Sequence, residues 1–208
     1  MFDVIDRLPR DIELKFITNM SFCDDEIIAK LNEFKTGRMH CSIDGVGKWV
    51  ETQRYRSDWQ TIESNTLKFA RELHEGWQMM LVPTFTVLNT YGLEDFVDWI
   101  FNVYRKTRPT ANFSYTVCTM PQHMTMYNIP LEKRKEIVQN IRSKDYEHIT
   151  LTRLLNSIEK DIIPDSETIK QLDRYLSYVK HSTDFDVLHA MPEVGEVIGR
   201  QELEEWKQ

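Results

Sequence analysis

Two hydrophobic periodicities alternate along the first part of this chain. ELKFITNM (13–20) reads as a strand that ends at the polar pair Thr18–Asn19. In DDEIIAKLNEF (24–34), Ile27, Ile28, Leu31 and Phe34 share one helical face, and Asp24 and Asp25 are suited to cap its start. RMHCSID (38–44) reads as a second strand, followed by a helix from Asp58 to about His74 with Trp59, Ile62, Phe69, Ala70 and Leu73 in its stripe. QMMLVPTFTVLN (78–89) is a long apolar run, the pattern of a strand buried on both faces. Pro83 argues mildly against it, because proline removes a ladder donor. GLEDFVDWIFNVYRK (92–106) places Leu93, Phe96, Val97, Ile100, Phe101 and Tyr104 on one helical face. NFSYTVCTM (112–120) alternates Phe113, Tyr115 and Val117 against Ser114, Thr116 and Cys118, as a strand does.

Three strand–helix units and a fourth strand predict an α/β fold with a parallel sheet and crossover helices over 1–129. After Pro130 the pattern is helical only, at 130–143, 150–162 and 166–181, which predicts a helical C-terminal extension over 130–208. Its last part mixes a loop with a short closing helix, and ELEEWKQ (202–208) reads as an exposed helical end.

Composition narrows the function more than the fold. The 208 residues suit one large domain, and 41% hydrophobic with 28% charged residues is ordinary globular usage. The net charge is −7 with no basic run, which argues against nucleic acid as a partner. No apolar stretch reaches the ~18 residues of a membrane span, and the charged N-terminus MFDVIDRLPRDIE is unlike a signal peptide. Cys23, Cys41 and Cys118 are widely spaced, without a CxxC pair, so the chain is expected to be cytoplasmic with buried structural thiols and no metal site of its own. The six histidines show no H-x(3)-H ligand pair, and Asp184, Asp186 and His189 read as a solvated tail. Trp49, Trp59, Trp77 and Trp99 read as packing residues.

In a parallel α/β sheet, ligands gather at the carboxyl ends of the strands. Here those ends release Thr18–Asn19, Ser42–Asp44–Gly45, Asn89 and Thr119 to His123, small polar groups able to hold a polar ligand. They contain no nucleophile with its base and no pair of carboxylates, so a hydrolase reading has little support. In CSIDGVGKW (41–49), Gly45 and Gly47 allow either a plain polar turn or a close approach of backbone to a ligand.

The order FITNM (16–20), CSIDGVG (41–47), RYRSDW (54–59) with Asn65, and TVLNTYGLEDFVDW (86–99) closely resembles the middle of radical S-adenosylmethionine enzymes. The subgroup it resembles carries SPASM or twitch auxiliary domains, whose pattern is a strand ending in T-N-G, then S-x-D-G, Y-x-R-x(3)-W, and a later strand ending in Asn. MPQHMTMYNIPLEKRKE (120–136) and DFDVLHAMPEV (184–194) are similar to the C-terminal part of that subgroup, so the resemblance covers about 11–194. It implies a partial (β/α) barrel of about four parallel strands, starting just before the family's third strand. Ser42 and Asn19 would then line an S-adenosylmethionine pocket, Asp44 would order the loop behind Ser42, Arg54 would face the cofactor carboxylate and Asn89 would close the fifth strand. Each also has a plainer role open to it: Asn19 capping a turn, Asp44 binding its own loop, Arg54 as a surface charge.

The departures are as informative. The family's CxxxCxxC, whose thiolates hold a 4Fe–4S cluster, is absent, as are the Gly-Gly-Glu segment and the cysteines of auxiliary clusters. Met20 stands where the family has glycine, and Gln53 where an apolar residue is usual. A complete enzyme of this family cleaves S-adenosylmethionine reductively and takes a hydrogen atom with the 5′-deoxyadenosyl radical. The resemblance therefore implies the C-terminal half of such an enzyme, split or truncated, inactive alone, with the cluster supplied by a missing half or partner chain. A peptide or protein substrate and some self-association are consistent with it. The alternative is a non-catalytic remnant kept as a binding or assembly module.

Overall fold

The computed structural model describes residues 2–199. A short helix α1 (Phe2–Ile5) leads into β1 (Glu13–Thr18), α2 (Asp25–Asn32) and β2 (Thr36–Cys41). Two helices follow, α3 (Lys48–Gln53) and α4 (Trp59–Glu72), and then β3 (Trp77–Leu81) with its continuation β4 (Thr84–Phe85). The next crossover is α5 (Leu93–Trp99), a π-helical turn at Ile100–Tyr104 and α6 (Arg105–Thr107), leading to β5 (Asn112–Phe113) and β6 (Thr116–Val117). The rest is helical: α7 (Leu131–Arg142), α8 (Ile149–Ile158), α9 (Ser166–Thr183), α10 (Val187–Ala190) and α11 (Pro192–Val197).

The sheet is parallel throughout and runs β1-β2-β3-β5 in the order of the chain, with β4 and β6 paired in parallel beyond it. The predicted run 78–89 is thus interrupted at Val82–Pro83, where proline lacks the donor a regular ladder needs. The sheet bends there without ending: Ser114 N–H donates to Leu81 O at 2.8 Å and Thr116 N–H to Pro83 O at 2.9 Å. One expectation is corrected. This strand is not buried on both faces, because Gln78 is exposed and Met80 half-buried while Trp77, Met79 and Leu81 are buried.

The sheet therefore has an apolar face and a polar one. Met39, Cys41, Trp77, Met79, Leu81 and Phe113 join Ile27, Ile28, Leu31, Ile62, Phe69, Phe96, Val97 and Ile100 in the main core. Residues one position along the strands point the other way, so Lys15, Arg38 and Gln78 form one row and Ile17, His40, Met80 and Asn112 the next. A hollow of about 500 Å³ opens on this face between Arg38, His40, Gln78 and Asn112.

Caps fix the elements. Asp24 accepts from Ile27 N–H, Asp58 from Thr61 N–H and Asp165 from Thr168 N–H, each at 2.7 Å. The fully buried Arg134 donates to four carbonyls, Ile129, Ile158, Lys160 and Ile162, and so binds the start of α7 to the end of α8. Arg108 does the same for Ala70, Leu73, His74 and Trp77 at the end of α4. A second apolar cluster joins Trp49, Val87 and Leu88 to Leu172, Leu176, Val187, Met191 and Val194, seating α9–α11 over the strand ends. Both clusters take residues from either side of position 130. Trp49, Trp77 and Trp99 are buried and Trp59 is half-buried against Trp99, as packing residues are. The predicted helical end 202–208 lies outside the described residues.

Candidate functional site

Four of the five residues singled out in the sequence meet at the carboxyl ends of β2 and β3. Asp44, 4% exposed, follows the last residues of β2 and takes Thr84 N–H on Oδ1 at 2.8 Å. Its Oδ2 receives Arg54 Nε at 2.8 Å and Nη2 at 2.6 Å. The same Nη2 donates to Ser42 Oγ at 2.8 Å. Arg54 reaches this position because α3 ends just before it, its backbone N–H bonding Val50 O at 2.8 Å. Charge-assisted bonds of this kind are the strong ones.

Asn89, 1% exposed, closes the arrangement from the other side. Its Nδ2 donates to Asp44 O at 2.5 Å and to Thr84 O at 2.9 Å. Its Oδ1 accepts Thr86 N–H at 2.7 Å and Thr86 Oγ1 at 3.2 Å. These bonds use both donors and both lone pairs of the amide. Asn89 acts behind the strand ends, as the clip that holds the β2 loop against the β4 loop.

Sequence reasoning missed two members. Gln53 Oε1, at 3.0 Å, shares the single Thr86 hydroxyl proton with Asn89, and Gln53 donates to Thr84 O at 3.4 Å. Thr86 also accepts Leu88 N–H at 3.1 Å. The signal for Gln53 was present in the sequence, since it stands where the pattern that the chain resembles is apolar. In this structure that position faces the polar side chain of Thr86.

What reaches outward is smaller. Ser42 is half-buried, and with its oxygen occupied by Arg54 its hydroxyl proton is free to donate. The Arg54 side chain remains 31% exposed. Asn19 stands apart from the network on the neighbouring strand end, exposed, with Oδ1 accepting Ser21 N–H at 3.1 Å and Ser21 Oγ at 2.8 Å. Beside it Met20 is fully buried at φ 62°, a left-handed turn that glycine adopts more easily. Asn65 Nδ2 holds that turn by donating to Met20 O at 2.8 Å. The arrangement offers a hydroxyl, a guanidinium and an amide on adjacent strand ends, suited to a carboxylate or a ribose.

The thiols are placed differently. Cys41 is fully buried at the end of β2, and burial pushes its thiol up to about 12. Burial also pushes Cys23, in the turn before α2, up to about 11, and raises Cys118 beyond β6. Among the described residues no group of three His, Cys, Asp or Glu side chains is placed to hold a metal ion. The residues present do not fit an iron–sulfur cluster. Asp184, Asp186 and His189 form no such group either, since Asp186 caps α10 through Leu188 and His189 N–H and pairs with Lys180 at 2.7 Å. No helix of the described residues is long and apolar enough to cross a membrane.

No family model, curated protein or solved structure matches this chain.

Proposed function

We propose that this chain is the C-terminal half of a radical S-adenosylmethionine-type (β/α) barrel and contributes one wall of the cofactor pocket. The observation that carries the reading is the sheet itself. Four parallel strands in chain order, an apolar face under the crossover helices, a polar face left open and a polar cluster at the carboxyl ends are what half of such a barrel requires. Ser42, Arg54 and Asn19 supply ligand-facing groups, whereas Asp44, Asn89, Gln53 and Thr86 hold Arg54 and the two loops in place. Helices α9–α11 form part of the substrate wall, for which a peptide is the class in keeping with the resemblance. The thiols of this chain do not fit the cluster, so a partner polypeptide carrying CxxxCxxC would bring it.

The test is the affinity of S-adenosylmethionine for the anaerobically reconstituted complex of this chain with such a polypeptide. Ser42→Ala and Asn19→Ala each lower it about tenfold, the equivalent of one lost hydrogen bond. An affinity unchanged by both substitutions contradicts the assignment. A second reading, a non-catalytic assembly module, is favoured by the inward closure of the Asp44–Asn89 network and predicts no such complex.

A further inference from the structure

Among the described residues β1 pairs with β2 alone. Thr18 O accepts Ser42 N–H at 2.8 Å, so alternation turns the backbone groups of Leu14, Phe16 and Thr18 toward β2. Those of Glu13, Lys15 and Ile17 face the open edge. Beside that edge runs an apolar groove of about 510 Å³, floored by Leu14 and Phe16 and walled by Leu8 and Leu31. Exposed apolar side chains line it as well: Val4, 65% exposed, Phe22, 56% exposed, and at the strand edge Ile17, 72% exposed. An open edge next to an apolar groove is a template for another strand.

We infer that a second copy of the chain closes this edge, the two β1 strands pairing antiparallel about a two-fold axis through Leu14. The charges within β1 favour that register, in which a second copy's Lys15 joins the Lys15 and Arg38 that Glu13 already pairs with in its own chain. A two-fold centred on Glu13 sets Glu13 against itself, and one centred on Lys15 sets Lys15 against itself. Centring on Leu14 places Glu13 opposite Lys15 of the second copy, twice over, and both residues have backbone groups free for the hydrogen-bonded pairs. On the groove side Leu14 then meets Leu14 of the second copy, and Phe16 meets Ile12, itself 37% exposed. Self-complementarity of this kind is what an isologous contact requires. The inference does not rest on the proposed cofactor pocket. It adds that the homodimer and any complex built by adding strands at β1 exclude one another.

Sedimentation of the whole chain tests it without cofactor or partner. The wild type dimerises at tens of micromolar. E13K, with two positive charges on the edge, and K15E, with two negative, each dimerise about tenfold more weakly or worse, from the reversal of two cross-strand pairs. Mixed together they form a heterodimer, and the double swap E13K/K15E restores the homodimer. Circular dichroism checks that each variant is folded. For the wild type, hydrogen exchange at the Glu13 and Lys15 amides slows as concentration rises, a readout that needs no substitution. A wild type monomeric at about 100 µM, single variants that dimerise as tightly as wild type, or a mixture without heterodimer overturns the inference. Cofactor binding by a complex is read separately, so either claim can fail alone.

Discussion

Replacing Asn89 by alanine removes the clip between the β2 and β4 loops, and its consequence follows from the geometry. Three hydrogen bonds are lost, to Asp44 O, Thr84 O and Thr86 N–H, and with them the weaker branch of the Thr86 hydroxyl bond shared with Gln53. Thr84 O keeps a long bond from Gln53 at 3.4 Å, whereas Thr86, 5% exposed, is left with a backbone N–H beyond the reach of water. A buried hydrogen bond contributes about 1 kcal/mol net, and an orphaned buried donor adds about 1–3 kcal/mol. Because Thr84 and the Thr86 hydroxyl find partial substitutes, the expected loss is about 3 kcal/mol. For a chain of this size that lowers the melting temperature by about 6–12 °C. Urea denaturation followed by circular dichroism reads it as an earlier midpoint at an unchanged slope. A loss below about 1 kcal/mol would refute the claim that this amide is spent on the fold.

Other consequences are expected elsewhere in the fold. Arg134→Lys keeps the charge but not the fork that reaches four carbonyls, and should lose about 3 kcal/mol in the same denaturation assay. Gly37→Ala drives a Cβ into the Trp77 ring on the next strand, so a loss of about 1–3 kcal/mol should appear, and an unchanged melting temperature would contradict the packing. The side-chain and backbone bonds from Thr61 hold the Asp58 carboxyl below its usual value, and those from Thr168 do the same for Asp165. With folded values depressed, their contribution is present above the unfolded value of about 3.9 and is lost as pH falls through the folded values. Asp58→Asn and Asp165→Asn should therefore flatten the acid limb of a stability–pH curve and leave its alkaline limb unchanged. Cys41, buried with its thiol raised to about 12, should resist alkylation at pH 8 until the chain is unfolded, while Cys23 and Cys118 react first.

Much of the fold is legible in the chain because its signals are local. α2, α4 and α9 follow from apolar stripes behind capping aspartates and α7 and α8 from their helical pattern after Pro130, and the alternation at 112–120 correctly separates Phe113 from the exposed Asn112, Ser114 and Thr116. α3 escaped prediction because six residues after a glycine turn are too few for a stripe, and its Trp49 is fixed by distant partners, Gly92 and Asp95. The helix read over 92–106 runs without a gap from Leu93 to Thr107 but widens to a π-helical turn at Ile100–Tyr104, where Trp99 and Tyr104 stack at 5.5 Å, a detail that periodicity does not encode. The exposure of Gln78 depends on no layer covering that face, which a hydrophobic run cannot announce. At the strand ends the residue types were legible, and so was the grouping of Ser42, Asp44, Arg54 and Asn89, whereas Asn19 stands apart. Their division into inward clips and outward groups was not, because it depends on whether a ligand or the protein itself takes each amide and carboxylate.

Titration of S-adenosylmethionine into this chain alone, and into its mixture with a CxxxCxxC-bearing partner polypeptide, tests the central claim most directly. The half-pocket account predicts binding weaker than about 1 mM for the chain alone and micromolar binding for the mixture. Micromolar binding by the chain alone, or no gain on adding the partner, would contradict it.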